Sequence, residues 1–366
     1  MDKKYHSLGL MSGTSLDGID ASIIESDGDS IINIRKNAYF SYPKKFKLDL
    51  KELIEKTSSR EEIQKNLKKY NDIERKLTLF HAEISESIIK KYDYNIDLIG
   101  FHGQTIIHKP SDKYSIQMGD GRLLSQILKK KVIYQFRKND IQNSGQGAPL
   151  ASIYHYALTK KLKIKDPVIF LNIGGISNIT YVDNDNFESR DVGPGNVLMD
   201  KYIKKIKNND YDHKGSYASI GKIDYSIVNQ ALDNDFFSKK NNVSFDINDF
   251  DYYFIKGLEF EDAMATLNFY SAKIISDLIL EKYLNVKKII LCGGGRKNKT
   301  LIKNLSSLIN LKIKKIDDYG LDGDFVESQA FAYLSIRSLL KKNISFPDTT
   351  KIYKPSTGGE LSNISI

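Results

Sequence analysis

The residues of this chain best suited to chemistry stand together at Asp191-Val192-Gly193-Pro194-Gly195-Asn196. A carboxylate on a rigid turn beside a phosphate can take a proton from a nucleophile, the acid–base role that phosphoryl transfer needs. The same six residues also read as an Asx turn, in which Asp bonds its own backbone and glycine and proline set the bend. On residue types alone the turn is the simpler reading. Three glycine-rich segments could meet a nucleotide. Residues 9–18, GLMSGTSLDG, form a small, hydroxyl-rich turn whose main-chain N–H groups could point at phosphate unobstructed by side chains. An ordinary hairpin explains that turn equally well, and the Walker pattern GxxxxGK[ST] is absent. Residues 174–178, GGISN, offer the same chemistry, though a Gly-Gly hairpin turn is common without any ligand. Residues 293–295, GGG, follow an apolar run and precede Arg296 and Asn298, leaving room for a base or ribose against the backbone.

Further polar groups lie between these turns. His102, Gln104 and Thr105 in FHGQTIIHKP are expected just beyond a strand end, where open α/β sheets meet ligands. A lone histidine there is more often a loop hydrogen-bonder, and the HGQT cluster moves the balance towards substrate. Asp120 in QMGDG suits a helix cap, and Pro149 in SGQGAPL suits a first helical turn. Gln146 has no evident structural role and reads as functional. The six histidines, with a single cysteine and no close pairing, do not make a zinc site, and no metal ligands can be named.

The elements that must carry these residues alternate strand and helix. Residues 5–40 predict a strand meander, and residues 70–92 an amphipathic helix with Ile73, Leu77, Phe80, Ile84 and Ile88 at helical spacing. Strands at 97–101 and 132–134 flank a helix at 123–128. A second start comes at 167, where strand, GGIS turn and the returning NITYVD repeat the plan of the first hairpin; a hairpin recurring once per half suggests two similar domains. A strand at 288–292 and a helix at 325–340 follow, and the tail from Phe346 reads as irregular chain closing over a domain.

Composition narrows the classes. At 366 residues the chain exceeds one compact core and suits two domains. It carries 55 Lys+Arg against 46 Asp+Glu, but the basic residues are scattered among acids without a nucleic-acid motif, so a solvated surface is the reading and nucleic acid is not an expected partner. No apolar stretch approaches a membrane span, the N-terminus lacks a signal-peptide core, and Cys292 is the only cysteine, which together give a cytoplasmic expectation.

Taken in order, the three glycine loops follow the pattern of the actin, hexokinase and heat-shock chaperone superfamily. GLMSGTSLDGID, FHGQT, FR..D, GQGAPL, LNIGGISN, GPGN, CGGG and the helix at 327–334 together resemble the anhydro-N-acetylmuramic acid kinases over essentially the whole chain. The resemblance implies an α/β fold of two ribonuclease-H-like domains of the actin-like ATPase kind, with the active site in the cleft between them. The expected division is 1–150, with the tail 346–366 packing on it, and 151–345. It implies ATP and Mg²⁺, and a reaction in which water opens a 1,6-anhydro ring while O6 takes the γ-phosphate, giving N-acetylmuramic acid 6-phosphate and ADP in peptidoglycan recycling. Carried over by position, Asp191 is the base for the attacking water. Ser12, Gly13, Thr14, Ser15, Leu16 and Asp17, with Gly174, Gly175, Ser177 and Asn178, hold the phosphates. Gly293, Gly294, Gly295 and Asn298 face the adenosine, and His102, Gln104, Arg137, Gln146 and Glu327 take the sugar.

Three departures stand out. Gln135 replaces the Asp of the family's DFR, Ser144 replaces the first Gly of GGQGAPL, and Val192 replaces the Thr of DTGPGN. They keep open a related ATP-dependent kinase with another amino sugar. A catalytically dead ATP-binding regulator is the reading from another class, against which Asp191 is retained. A homodimer is compatible with the sequence.

Overall fold

The computed structural model describes residues 3–13, 15–233 and 244–362. The chain divides into two compact units, one of residues 1–163 with 325–366 and the other of residues 164–324. The division differs from the expected 150/151 and 345/346 because the helix Val326–Leu339 belongs to the first unit, for a reason visible at two glycines.

In the first unit, β1 (Tyr5–Ser12), β2 (Gly18–Ser26) and β3 (Ile32–Ser41) form the expected antiparallel meander, and β1 runs parallel to β4 (Leu98–Lys109), which runs parallel to β6 (Lys131–Tyr134). The core order is therefore β6-β4-β1-β2-β3, with β5 (Tyr114–Met118) paired to β4 and β12 (Glu360–Ser362) closing the β6 edge. The tail thus adds a strand and a short helix, Pro347–Thr350, to what its composition suggested was irregular chain. Alternating apolar positions bury Leu8, Leu10, Ile19, Ala21 and Ile23, and the helix Leu67–Tyr92 packs Ile73, Leu77 and Ile88 into the same core. Helix Val326–Leu339 lies so close to the sheet that a Cβ on Gly9 would stand 1.9 Å from the Ser328 carbonyl, and one on Gly100 2.3 Å from that of Phe331. Hydroxyl pairs Ser7–Ser335 and Ser22–Ser328, each 2.7 Å, satisfy the buried polar groups of that contact.

The second unit repeats the plan. β7 (Val168–Ile173), β8 (Ile176–Asp183) and β9 (Asn186–Pro194) form an antiparallel meander; β7 runs parallel to β10 (Lys288–Cys292), which runs parallel to β11 (Lys312–Lys315). Its order, β11-β10-β7-β8-β9, matches the first unit strand for strand and sense for sense. Helix Phe260–Lys282 packs on this sheet through Ala263, Leu267, Ile275 and Ile279. One antiparallel meander extended by two parallel strands, built twice, is the duplicated ribonuclease-H-like plan. No helix among the described residues is long and apolar enough to cross a membrane.

Candidate active site

Asp191 sits near the end of β9 rather than on a free turn. Ser177 pairs with Gly193 and Asn178 with Asp191, so Val192 is an extra residue, a bulge that re-aims the strand beside the carboxylate. Val192 is 2% exposed within the apolar core, where a valine methyl is at home in place of a threonine hydroxyl. The Asp191 carboxylate accepts the main-chain N–H of Phe245 at 2.9 Å, a non-local tether to a partner 54 residues away. The following turn is laced to Gly174 and Gly175. The Gly195 and Val197 N–H groups donate to the Gly175 carbonyl at 2.8 and 3.1 Å, and Asn196 donates to the Gly174 carbonyl from its N–H at 2.9 Å and its Nδ2 at 3.1 Å. A Cβ on Gly195 would approach the Gly174 carbonyl to 2.4 Å, so this glycine is required by packing. Asp191 and the second glycine turn are one rigid piece. Ser177, fully buried, keeps its Oγ without a hydrogen-bond partner, and Asn178 is half-buried beside it.

In the third segment Gly293 has φ +74° and begins a single 3₁₀ turn, Gly294–Lys297. Around Gly294 a Cβ would meet nothing within 4 Å, whereas one on Gly295 would strike the Ile173 side chain at 2.3 Å. Open space for a ligand is therefore at Gly294. The Asn298 side chain caps the helix Lys299–Leu308 by accepting the Leu301 N–H at 3.1 Å and is 7% exposed. Behind the turn, Arg296 is 3% exposed, donates to the Gly293 carbonyl at 3.0 Å and pairs with Asp317 and Asp324 at 2.7 and 2.6 Å.

In the first unit, the turn after β1 holds Gly13, Ser15, Leu16 and Asp17; Thr14 lies outside the described residues. The Leu16 N–H closes the turn on the Gly13 carbonyl at 3.2 Å. Gly13 has no left-handed φ, and no described atom lies within 4 Å of its missing Cβ. Asp17 is exposed and pairs with Lys47 at 2.5 Å. Ser12 is 1% exposed, and its hydroxyl donates to Gln104 Oε1 at 2.6 Å while accepting from the Tyr42 hydroxyl at 2.9 Å.

Gln104, itself 1% exposed, braces the first turn through its amide carbonyl. The strand does not stop before these residues: β4 continues to Lys109, and His102 and Gly103 together oppose Met11 as a bulge. Gly103, at φ +72° and 2.3 Å from the Met118 carbonyl at its missing Cβ, makes that bulge possible. His102 is 3% exposed. Burial first, and the Arg137 charge second, hold it well below the ordinary imidazole range, so it is neutral. Its Nδ1 bonds the Gly103 carbonyl at 2.8 Å, which leaves Nε2 to accept from the Arg137 guanidinium at 3.2 and 3.1 Å. Glu327 opens the helix Val326–Leu339 and remains solvent-accessible. Surrounding protein pushes its carboxyl up, and Arg137 pulls it down. His102, Arg137 and Glu327 thus share one electrostatic neighbourhood, with Arg137 at its centre.

Gln146 lies in the loop 144–150, half-buried, with its Oε1 enclosed and lacking a partner. Pro149 precedes the helix Ser152–Lys161 instead of opening it, after a cis peptide bond from Ala148. Asp120 does cap its helix, accepting from the Arg122 and Leu123 N–H groups. Two of the family departures fall on left-handed backbone, Gln135 at φ +56° and Ser144 at φ +67°, where Asp and Gly are the easier residues. Two groups carry no role in a residue-by-residue reading: the Phe245 N–H, invisible because main chain has no letter, and Asp140, which stands in the FR..D element.

Compared with known proteins, residues 5–362 match the family model described as anhydro-N-acetylmuramic acid kinase. The anhydro-N-acetylmuramic acid kinase of Pelagibacter ubique (strain HTCC1062) is 51% identical over 372 residues, covering 99% of each chain. That of Zymomonas mobilis is 36% identical over 366 residues, covering 98% of this chain and 100% of its own. Among solved structures, a ROK family glucokinase from Streptomyces griseus in complex with glucose and AMPPNP is a distant likeness, 11% identical with a TM-score of 0.41 over 90% of this chain and 98% of its own. The full-length matches decide the matter: this chain belongs to the anhydro-N-acetylmuramic acid kinase family.

Proposed function

We propose that the chain uses ATP to convert 1,6-anhydro-N-acetylmuramic acid and water into N-acetylmuramic acid 6-phosphate and ADP, a step of peptidoglycan recycling in the cytoplasm. The observation that carries this reading is the full-length identity to relatives of that name, with Asp191 retained and braced on the second glycine turn. An anhydro sugar has no free O6 hydroxyl, so the proton must come from an attacking water. Asp191 would accept that proton as the water oxygen bonds the anomeric carbon. The bond from that carbon to O6 breaks, and O6 takes the γ-phosphoryl group as ADP leaves. A single carboxylate then serves both the hydrolysis and the transfer.

The turn around Gly13 and the turn at Gly174 and Gly175 would hold the β- and γ-phosphates, and the open side of Gly294 would receive the adenosine. Arg137, steadied by neutral His102 and facing Glu327 electrostatically, would bind the sugar with Gln146. Mg²⁺ bound with ATP would neutralise the charge that develops on the transferring phosphoryl group.

Incubation with ATP, the anhydro sugar and ¹⁸O-water tests the reading. The expected product is a 6-phosphorylated sugar with label on the anomeric carbon. Label in the phosphate would mean ATP hydrolysis, and phosphorylation only of an ordinary amino sugar would replace this substrate with another.

A further inference from the structure

Asp140 is 1% exposed, and neutral donors hold its carboxylate. One oxygen accepts the Gly147 N–H and the other the Thr350 hydroxyl, each at 2.5 Å. The Asp140 carbonyl accepts the Gly145 N–H at 2.9 Å, and the Thr350 carbonyl accepts the Gln146 N–H at 2.6 Å. Gln146 is thereby fixed through its own main chain and through both neighbours. The glycines on either side are what such closeness demands. A Cβ on Gly145 would stand 2.2 Å from the Asp140 carboxylate, and Gly147, at φ +68°, lies 2.6 Å from Ile141 and 3.5 Å from the Arg137 Cβ at its missing Cβ. The result of this bracing is an amide whose Oε1 is enclosed without a donor. An unmet buried acceptor is costly, so holding it in place is worthwhile where a ligand supplies the donor.

We propose that Asp140 and Thr350 form a clamp that positions Gln146 to accept a hydrogen bond from a hydroxyl or amide N–H of the sugar. The C-terminal segment around Thr350 is on this account part of the substrate machinery, and Asp140 is a positioning residue acting through Gln146. Burial pushes the Asp140 carboxyl up, and the Thr350 hydroxyl and Gly147 N–H that it accepts pull it down, so the clamp is held by donors fixed in the fold. The inference rests on the reading of Gln146 as a sugar contact.

The test is a double-mutant cycle in the full chain. Asp140→Asn should lower kcat/KM for the anhydro sugar about 10–100-fold through misplacement of a contact, with KM for ATP unchanged. In a Gln146→Ala background the same substitution should add little further loss, because its target is gone. Thr350→Val should reproduce the effect and Thr350→Ser should recover most of it, which covers the case of an Asp140→Asn chain that does not fold. Equal losses in both backgrounds, a silent Asp140→Asn, or a silent Gln146→Ala beside a damaging Asp140→Asn each overturn the clamp. Failure of the underlying function is a separate result, the absence of phosphorylated sugar from the unsubstituted enzyme.

Discussion

Gly13 has room for a Cβ among the described residues, and that makes it a sharp probe of the first glycine turn. Its φ is not left-handed, and an added Cβ meets no described atom within 4 Å. Gly13→Ala should therefore stabilise the free protein by about 0.4–1 kcal/mol, because alanine restricts the unfolded chain. At about 2–4 °C per kcal/mol for a domain of this size, Tm rises slightly or holds. If a phosphate approaches this backbone, the same methyl pushes it away from main-chain N–H donors. Weakening one charge-assisted hydrogen bond costs about 1.5–3 kcal/mol, or about 10–100-fold in affinity. Thermal melts with and without ATP, with KM for ATP measured on the same samples, separate the two effects. Gly195→Ala provides the contrast, since its Cβ would sit 2.4 Å from the Gly174 carbonyl and should lower stability and activity together. Wild-type KM for ATP in Gly13→Ala, or a loss of Tm without ATP, would refute a ligand-facing turn.

Asp191→Asn should lower turnover about 10²–10⁴-fold while ATP still binds, as calorimetry and steady-state rates can show; near-normal turnover removes it as the base. Ser144→Gly should stabilise the chain by about 1 kcal/mol by relieving the left-handed backbone at φ +67°, and an unchanged or lower Tm would count against strain there. Burial lowers His81 and His155 from 6.5 to about 4, and holds His102 well below its usual value. Each is neutral when folded and binds a proton more readily when unfolded. Their contribution is complete above about pH 6.5 and is lost at about 1.4 kcal/mol per pH unit each as pH falls towards about 4. Urea midpoints should drop between about pH 7 and about pH 5, and a flat profile over that range would refute buried neutral imidazoles.

The duplicated meander is legible in the sequence because each hairpin alternates apolar and polar residues at period two around a glycine turn, and strand β10 at Lys288–Cys292 shows as a bounded apolar run. Helix Leu67–Tyr92 shows through its apolar stripe for the same local reason. What escapes is non-local. The extension of β4 through His102 and Gln104 depends on pairing with β1 and β5, and polar letters there read as loop. Gln104 looks like a ligand group until Ser12, 92 residues away, is placed against it. Asp140 and Thr350 are separated by 210 residues, and neither has a neighbour in sequence that announces the pairing. Asn298 stands before a helix, and its letter suits a cap as well as a nucleotide; the bond to Leu301 shows the cap.

The helix Val326–Leu339 ties the two ends of the chain together, since Ser7 on the first strand meets Ser335, 328 residues later. The second unit is one uninterrupted stretch, whereas the first waits for a helix encoded after it. On the ribosome, at about 5–20 residues per second, residues 164–324 take about 8–32 s to make, and over that time the faces of β1 and β4 around Gly9 and Gly100 lack their helix. The second unit has every segment of its sheet by then and can complete its fold first. The faces of β1 and β4 around Gly9 and Gly100 can therefore be covered by this helix only after the whole second unit has been made.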